Sequence, residues 1–183
     1  MIDKIYAADF AVLDFIREHI STPALDYLMR FFSLLGEGAV LWIVIAALLL
    51  IRKKHRQTAL EMASAMIFGS VVWIKILKNI VRRPRPFITR SETELILRAP
   101  GGFSFPSGHS MVAFACATVI FLNNRRAGIA AYVTAALIAF SRLYLYVHFP
   151  SDVLAAALLG TAIGTAAVLI AKRTNGKKLP DTP

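Results

Sequence analysis

Three short blocks, "KNIVRRPRP" (78–86), "FSFPSGHS" (103–110) and "SRLYLYVHFPSD" (141–152), gather cations, two histidines and one acid in a chain of 183 residues. These residue types suit work on a phosphoryl group. Ser107 can N-cap a helix that opens at Gly108, and Gly108 lets an anion approach the backbone N–H groups at the positive end of the helix dipole. Lys78, Arg85 and Arg142 can neutralise phosphate oxygens, the arginines as forks and the lysine as a point charge. The same charges would stabilise a transition state in which negative charge builds. His148 lies four residues before Asp152 across Pro150, a residue suited to a first helical turn, so the carboxylate can return to the ring and fix one nitrogen as a donor. The other nitrogen is then a free nucleophile, and His109 can protonate the departing oxygen. Asp152 is the lone acid of the three blocks, so no carboxylate set suited to Mg²⁺ is visible and neither metal nor cofactor is expected.

Each part has an ordinary reading when taken alone. "PSGH" is a turn with a capping serine, and Lys78 and the arginines of "RRPRP" are snorkelling side chains or anchors to anionic headgroups. His148 alone is an interfacial residue, and Asp152 an acid favoured by the first turn of a helix. Arg30, Glu61 and Lys75, which sit in apolar stretches without motif partners, read as snorkelling or packing groups. What sets the three blocks apart is that they converge on one surface once the elements are laid out.

Hydrophobic residues make up 57% of the chain and charged residues only 17%, with a mean hydropathy of +0.60. That is too apolar for an ordinary soluble domain and predicts an all-α, polytopic membrane bundle of about five or six helices forming a single domain over 1–183. Five stretches approach the roughly 20 apolar residues that cross a hydrocarbon core of about 30 Å: 27–51, 58–81, 107–122, 127–147 and 150–171. The first is interrupted by Gly36-Glu37-Gly38. Residues 3–20 mix Ile5, Phe10, Leu13 and Ile20 with Asp3, Asp9, Asp14, Arg17 and Glu18, a pattern that predicts an amphipathic helix on the membrane surface. Acids interrupt this stretch and no small-residue cleavage site follows, so it is not read as a signal peptide. Cys116 is the single cysteine, which leaves no partner for an intrachain disulfide and reads as a small apolar side chain.

The basic clusters "RKKHR" (52–56), "NNRR" (123–126) and "KRTNGKK" (172–178) fall on one side of these spans. The positive-inside rule makes that side cytoplasmic. The opposite side carries 82–106, which holds five arginines against two glutamates, and the same rule would draw it inward. A basic outer surface is therefore read as one kept for an anionic ligand. The ends of the second, third, fourth and fifth spans bring Lys78, Arg85, Ser107, Gly108, His109, Arg142, His148 and Asp152 to that face.

At this point the chain resembles the type 2 phosphatidic acid phosphatases, which share a fold and an active-site pattern with vanadium haloperoxidases. The family pattern appears as Lys78 to Arg85-Pro86, then Pro106-Ser107-Gly108-His109, then Ser141-Arg142 to His148 to Asp152, with no substitution in any block. The resemblance implies that His148 is a nucleophile forming a phosphohistidine, that Asp152 orients it, and that His109 is the general acid. It implies that Lys78, Arg85, Ser107, Gly108 and Arg142 bind phosphate. It covers about 75–155.

Within that family a short chain with a basic outward face looks like an undecaprenyl pyrophosphate phosphatase of the cell membrane. Phosphatidylglycerophosphate, phosphatidic acid and lipid A phosphatases carry the same blocks. The extra arginines Arg82, Arg83, Arg90 and Arg98 either favour a pyrophosphate or meet lipid headgroups. The partners expected are a lipid (pyro)phosphate and the bilayer, with no nucleic acid. Two readings from other classes stay beside this one. A vanadate-dependent haloperoxidase would use nearly the same pocket in a typically soluble protein, and an anionic lipid transporter would use the basic helix ends without needing two histidines and an acid.

Overall fold

The computed structural model describes residues 2–70, 75–90 and 95–176, with side chains for 3–70, 75–90 and 95–174. Regular structure among the described residues is helical throughout. Helix α1 (Ile2–Phe15) runs into a π-turn at Ile16–Ile20, followed by α2 (Pro23–Gly36), α3 (Val40–Ile51), α4 (Arg56–Ile67), α5 (Lys75–Val81), α6 (Pro86–Thr89), α7 (Gly108–Asn123), α8 (Arg125–Tyr144) and α9 (Pro150–Gly176). Residues 71–74 of the expected second span, and 177–178 of the basic tail, lie outside the described residues.

Local sequence explains where the elements begin and end. Thr22 N-caps α2 by accepting from Leu25 N–H at 3.3 Å, with Pro23 at the first helical position, where its missing N–H costs nothing. Asn124 caps α8 through Ala127 N–H, and Ser107 caps α7. The Gly36-Glu37-Gly38 interruption is a tight turn between α2 and α3, in which Gly38 and Ala39 adopt left-handed φ values of 56° and 60°.

Four helical stretches among the described residues are long and apolar enough to cross a membrane: Pro23–Ile51, Lys53–Thr89, Arg125–Tyr144 and Pro150–Thr174. Side chains such as Leu158 (74% exposed) and Ile51 (73% exposed) point away from the protein, as a lipid-facing surface requires. The third expected span differs. Helix α7 has 16 residues, about 24 Å at 1.5 Å per residue, short of a hydrocarbon core of about 30 Å. The reason lies in its position: residues 110–113 and 115–120 are all buried, so its surroundings are α8, α9, α4 and α2 rather than lipid. A helix wrapped by others can stop short of the surface. The expected fourth span also ends early, at Tyr144, where the chain turns through Leu145 and a left-handed Tyr146 (φ 59°).

Close packing joins α7 to α9. A Cβ at Gly160 would lie 2.3 Å from Met111 O, and one at Gly164 would lie 2.4 Å from Ala115 O. Small residues let the two backbones meet, as membrane helices use in place of a hydrophobic driving force. Gly164→Ala should therefore lower the unfolding midpoint in detergent, at a cost of about 1–3 kcal/mol for overpacking. Gly69→Ala is the control, because its Cβ would meet only Ile163 at 3.8 Å. Equal midpoints for the two variants would contradict the close approach.

Candidate active site

The end of the bundle that carries the α4–α7 connection and the α8–α9 turn collects the three sequence blocks. Arg85, just before α6, donates from Nε to Gly102 O at 3.0 Å, from Nη2 to Gly101 O at 3.0 Å and from Nη1 to Val147 O at 2.9 Å. The same Nη1 lies 3.3 Å from His148 Nε2. Lys78 donates to Phe103 O at 2.9 Å and stands within electrostatic reach of Arg85, Arg142 and Asp152. Arg142, 4% exposed, donates to Ser33 Oγ of α2, while its Nε is buried without a hydrogen-bond partner. These three cations hydrogen-bond to neutral acceptors, and none of the ion pairs among the described residues includes them. Buried positive charge left in this state calls for an anion.

Ser107 and Gly108 open α7 beside them. Ser107 is fully buried, accepts from Ser110 N–H at 3.5 Å and donates its own N–H to Asp152 O at 3.4 Å. The first N–H groups of α7 have no carbonyl inside the helix to bond. His109, on the first turn, feels the charges of Arg142, Arg85 and Lys78. Its ring packs against α2 so closely that a Cβ at Gly36 would lie 2.7 Å from His109 Cδ2 and 2.8 Å from Ile138 Cγ2. Gly36, which the sequence marks only as an interruption, leaves room for this imidazole.

His148 and Asp152 are arranged differently from the expected direct pair. Their closest approach, Nδ1 to Oδ2, is 3.7 Å, beyond hydrogen-bond range. Ser104 stands between them: its hydroxyl donates to Asp152 Oδ2, and its oxygen lies 3.4 Å from His148 Nδ1. A serine hydroxyl has one proton, so with that proton on Asp152 the oxygen can only accept from the ring. This network assigns the proton to Nδ1 and the lone pair to Nε2, the nitrogen that faces Arg85. Ser104 lies two residues before Pro106, and its type alone carries no signal that separates it from a loop serine. Asp152 Oδ2 also accepts from Phe149 N–H at 2.9 Å, which pins the carboxylate to the first turn of α9.

Burial lowers the pKa of the His148 imidazole to about 4, with Arg85 and Arg142 lowering it further and Asp152 opposing them. A lowered pKa keeps the ring neutral, and so nucleophilic, at every pH above that value. In imidazole-¹⁵N-labelled protein His148 should remain the neutral Nδ1–H tautomer from about pH 8 down to about pH 5, below the ordinary histidine midpoint of about 6.5. Titration at the ordinary midpoint would show a solvated ring.

Two of the extra arginines are already engaged by acids. Arg83 donates to Asp9 Oδ2 at 2.6 Å and to Asp152 Oδ1 at 2.7 Å, and Arg90 donates to Asp14 Oδ2 at 2.6 Å. Arg82 and Arg98 remain exposed. Asp9 and Asp14 of α1, read from sequence as part of the polar side of a surface helix, thus face the bundle. Of the in-span polar residues, Arg30 is exposed and donates to Ile96 O, while Glu61 is buried, accepts from Gln57 and Asn123, and is a packing group. Among the described residues no three His, Cys, Asp or Glu side chains form a group that could hold a metal ion.

Comparison with known proteins adds four findings. The family model of the PAP2 superfamily matches residues 58–175. An undecaprenyl-diphosphatase of Sulfolobus acidocaldarius is 33% identical over 156 residues, covering 85% of this chain and 75% of that protein. The crystal structure of Aquifex aeolicus LpxE superimposes with a TM-score of 0.77 at 30% identity, covering 88% of this chain and 95% of that one. A PAP2-type phosphatidylglycerolphosphate phosphatase from Bacillus subtilis superimposes with a TM-score of 0.75 at 26% identity, covering 98% and 90%.

Proposed function

This chain belongs to the PAP2 superfamily, and on that premise we propose that it is a membrane lipid phosphatase that converts undecaprenyl pyrophosphate to undecaprenyl phosphate through a phosphohistidine. The observation that carries this reading is the trio Lys78, Arg85 and Arg142, bonded to neutral acceptors, with Arg85 Nη1 3.3 Å from His148 Nε2. A terminal phosphate supplies the missing negative charge. His148 Nε2 forms a bond to phosphorus as the bond to the lipid phosphate oxygen breaks, and His109 gives that oxygen its proton. Water then attacks phosphorus, His109 takes back a proton, and inorganic phosphate leaves His148. Ser107, Gly108 and the start of α7 hold the oxygens that swing through the transition state. The choice of a polyprenyl pyrophosphate is supported by the identity to the Sulfolobus protein. The outer leaflet is the proposed side of the reaction, because the basic segments at 52–56 and 123–126 lie at the opposite end of the bundle and basic segments are retained inside.

The test is catalytic efficiency in detergent, with EDTA present, on undecaprenyl pyrophosphate, phosphatidylglycerophosphate, phosphatidic acid and a lipid A phosphate. The expected result is the highest kcat/KM on the pyrophosphate, undiminished by chelator and inhibited by orthovanadate, which mimics the trigonal-bipyramidal phosphorus. A higher value on another lipid reassigns the substrate. Activity lost in EDTA and restored by Mg²⁺ overturns the role given to the cations, and lipid transport without phosphate release overturns the enzyme reading.

A further inference from the structure

Helix α1 grips two segments of the site, the 82–90 stretch that carries Arg83 and Arg90 and the 146–152 stretch that carries His148 and Asp152. Asp9, 5% exposed, accepts from Arg83 Nη2 at 2.6 Å, from Ser151 N–H at 2.9 Å and from Ser151 Oγ at 2.6 Å. Arg83 Nη1 in turn donates to Asp152 Oδ1 at 2.7 Å and to Ser151 Oγ at 2.7 Å. The guanidinium carbon lies over two rings, 4.0 Å from the Phe149 centroid and 4.5 Å from that of Tyr6 on α1. Five residues further along α1, Asp14 accepts from Tyr146 Oη at 2.9 Å and pairs with Arg90. Two residues of the gripped loops, Arg82 (φ 47°) and Tyr146 (φ 59°), adopt left-handed backbone. Side chains other than glycine disfavour that conformation, so it persists where surrounding contacts enforce it.

Arg83 is therefore unlike Lys78, Arg85 and Arg142. Two carboxylates already compensate its charge, one from α1 and one from the site itself. We propose that Asp9 and Arg83 are positioning residues of the reaction: Asp9 holds Arg83 on Asp152, and so sets the orientation and the effective charge of the carboxylate that, through Ser104, orients His148. The amphipathic N-terminal helix is then part of the catalytic apparatus rather than a membrane rest alone. A carboxylate shared with Arg83 pulls less strongly on the imidazole, which keeps His148 a free base. This inference rests on the reading of His148 as the phosphoryl acceptor.

The test uses the full-length protein in detergent with Asp9→Asn, Arg83→Gln, the double variant and Arg83→Lys. Turnover is measured together with the rate of phosphoryl-enzyme formation. Arg83 does not face the phosphate cluster, so kcat should fall by about 10–100-fold, the scale of a misplaced catalytic group, while KM changes by less than about twofold. The double variant should be no slower than Arg83→Gln alone, because the two residues act as one unit, and Arg83→Lys should recover part of the rate. The acid limb of adduct formation should also move to higher pH in Arg83→Gln. The charged and titratable groups facing His148 are Asp152, Arg85, Arg142 and His109, and releasing Asp152 from Arg83 strengthens the one that favours protonation. A rise in KM at unchanged kcat would make Arg83 a substrate ligand and overturn the proposal. So would wild-type kcat and an unmoved acid limb accompanied only by a lower melting temperature. If Asp9→Asn fails to fold, Arg83→Lys and Arg83→Gln still decide between these outcomes. Absence of any adduct in the wild-type protein would remove the phosphohistidine reading itself, which separates that failure from this one.

Discussion

His148→Ala should lose phosphate release by on the order of 10⁴-fold or more, the scale seen when a nucleophile is removed from a working unit, and should accumulate no acid-labile phosphoryl-enzyme. The nitrogen that faces the cations is His148 Nε2, 3.3 Å from Arg85 Nη1, and the hydrogen-bond direction at Ser104 leaves the lone pair there. Ser107, the other hydroxyl of the motif loop, is tied to Ser110 Oγ at 2.9 Å and has no base beside it comparable to a neutral imidazole. Cys116 lies inside the core of α7. Turnover is measured with purified variant in detergent, with circular dichroism to establish that the bundle remains folded. Activity within about tenfold of wild type would mean that water attacks phosphorus directly.

The second large effect belongs to His109→Ala, and its size should depend on what leaves. General acids contribute about 10²–10⁴-fold when the leaving oxygen needs a proton. An alkoxide leaving from phosphatidic acid needs it most, the phosphate oxygen leaving from a lipid pyrophosphate needs it less, and the phenolate of p-nitrophenyl phosphate needs it least. The losses should fall in that order, with p-nitrophenyl phosphate, where the site accepts it, close to wild type. The basic limb of the pH–rate curve should flatten in the same variant. Uniform losses on all three would assign His109 to phosphate binding instead. Gly36 provides an independent approach to the same side chain: a methyl group there would meet the ring at 2.7 Å, so Gly36→Ala should reproduce the leaving-group ordering without removing the imidazole.

Much of this site is legible in the sequence because helix ends carry it. Ser107-Gly108 announces a capped helix with exposed N–H groups, and Pro150 with Asp152 announces another. The apolar lengths between them place both at one end of a bundle. What stays hidden depends on approach through space. Ser104 bridges His148 and Asp152 only because the 103–107 loop folds over the start of α9, and nothing in a lone serine foretells that. The 3.7 Å gap between Nδ1 and Oδ2 is likewise invisible, since a four-residue spacing is equally compatible with a direct bond. Asp9 and Asp14 read as the wet side of a surface helix because their partners, Arg83 and Arg90, stand more than 70 positions away. Helix α7 reads as a lipid span because composition registers its apolarity and not the identity of its neighbours, which are protein. That Gly160 and Gly164 of α9 serve packing shows only in the 2.3 Å and 2.4 Å approaches a Cβ at each would make to the α7 backbone.

The most direct test of the account is rapid-quench trapping with substrate carrying ³²P in its terminal phosphate, followed by alkaline digestion and peptide mapping. The predicted result is an acid-labile, base-stable adduct on the peptide containing His148, formed at least as fast as turnover and absent from His148→Ala. An adduct on His109 would exchange the roles of the two histidines, and turnover with no adduct at any quench time would contradict covalent catalysis at this site.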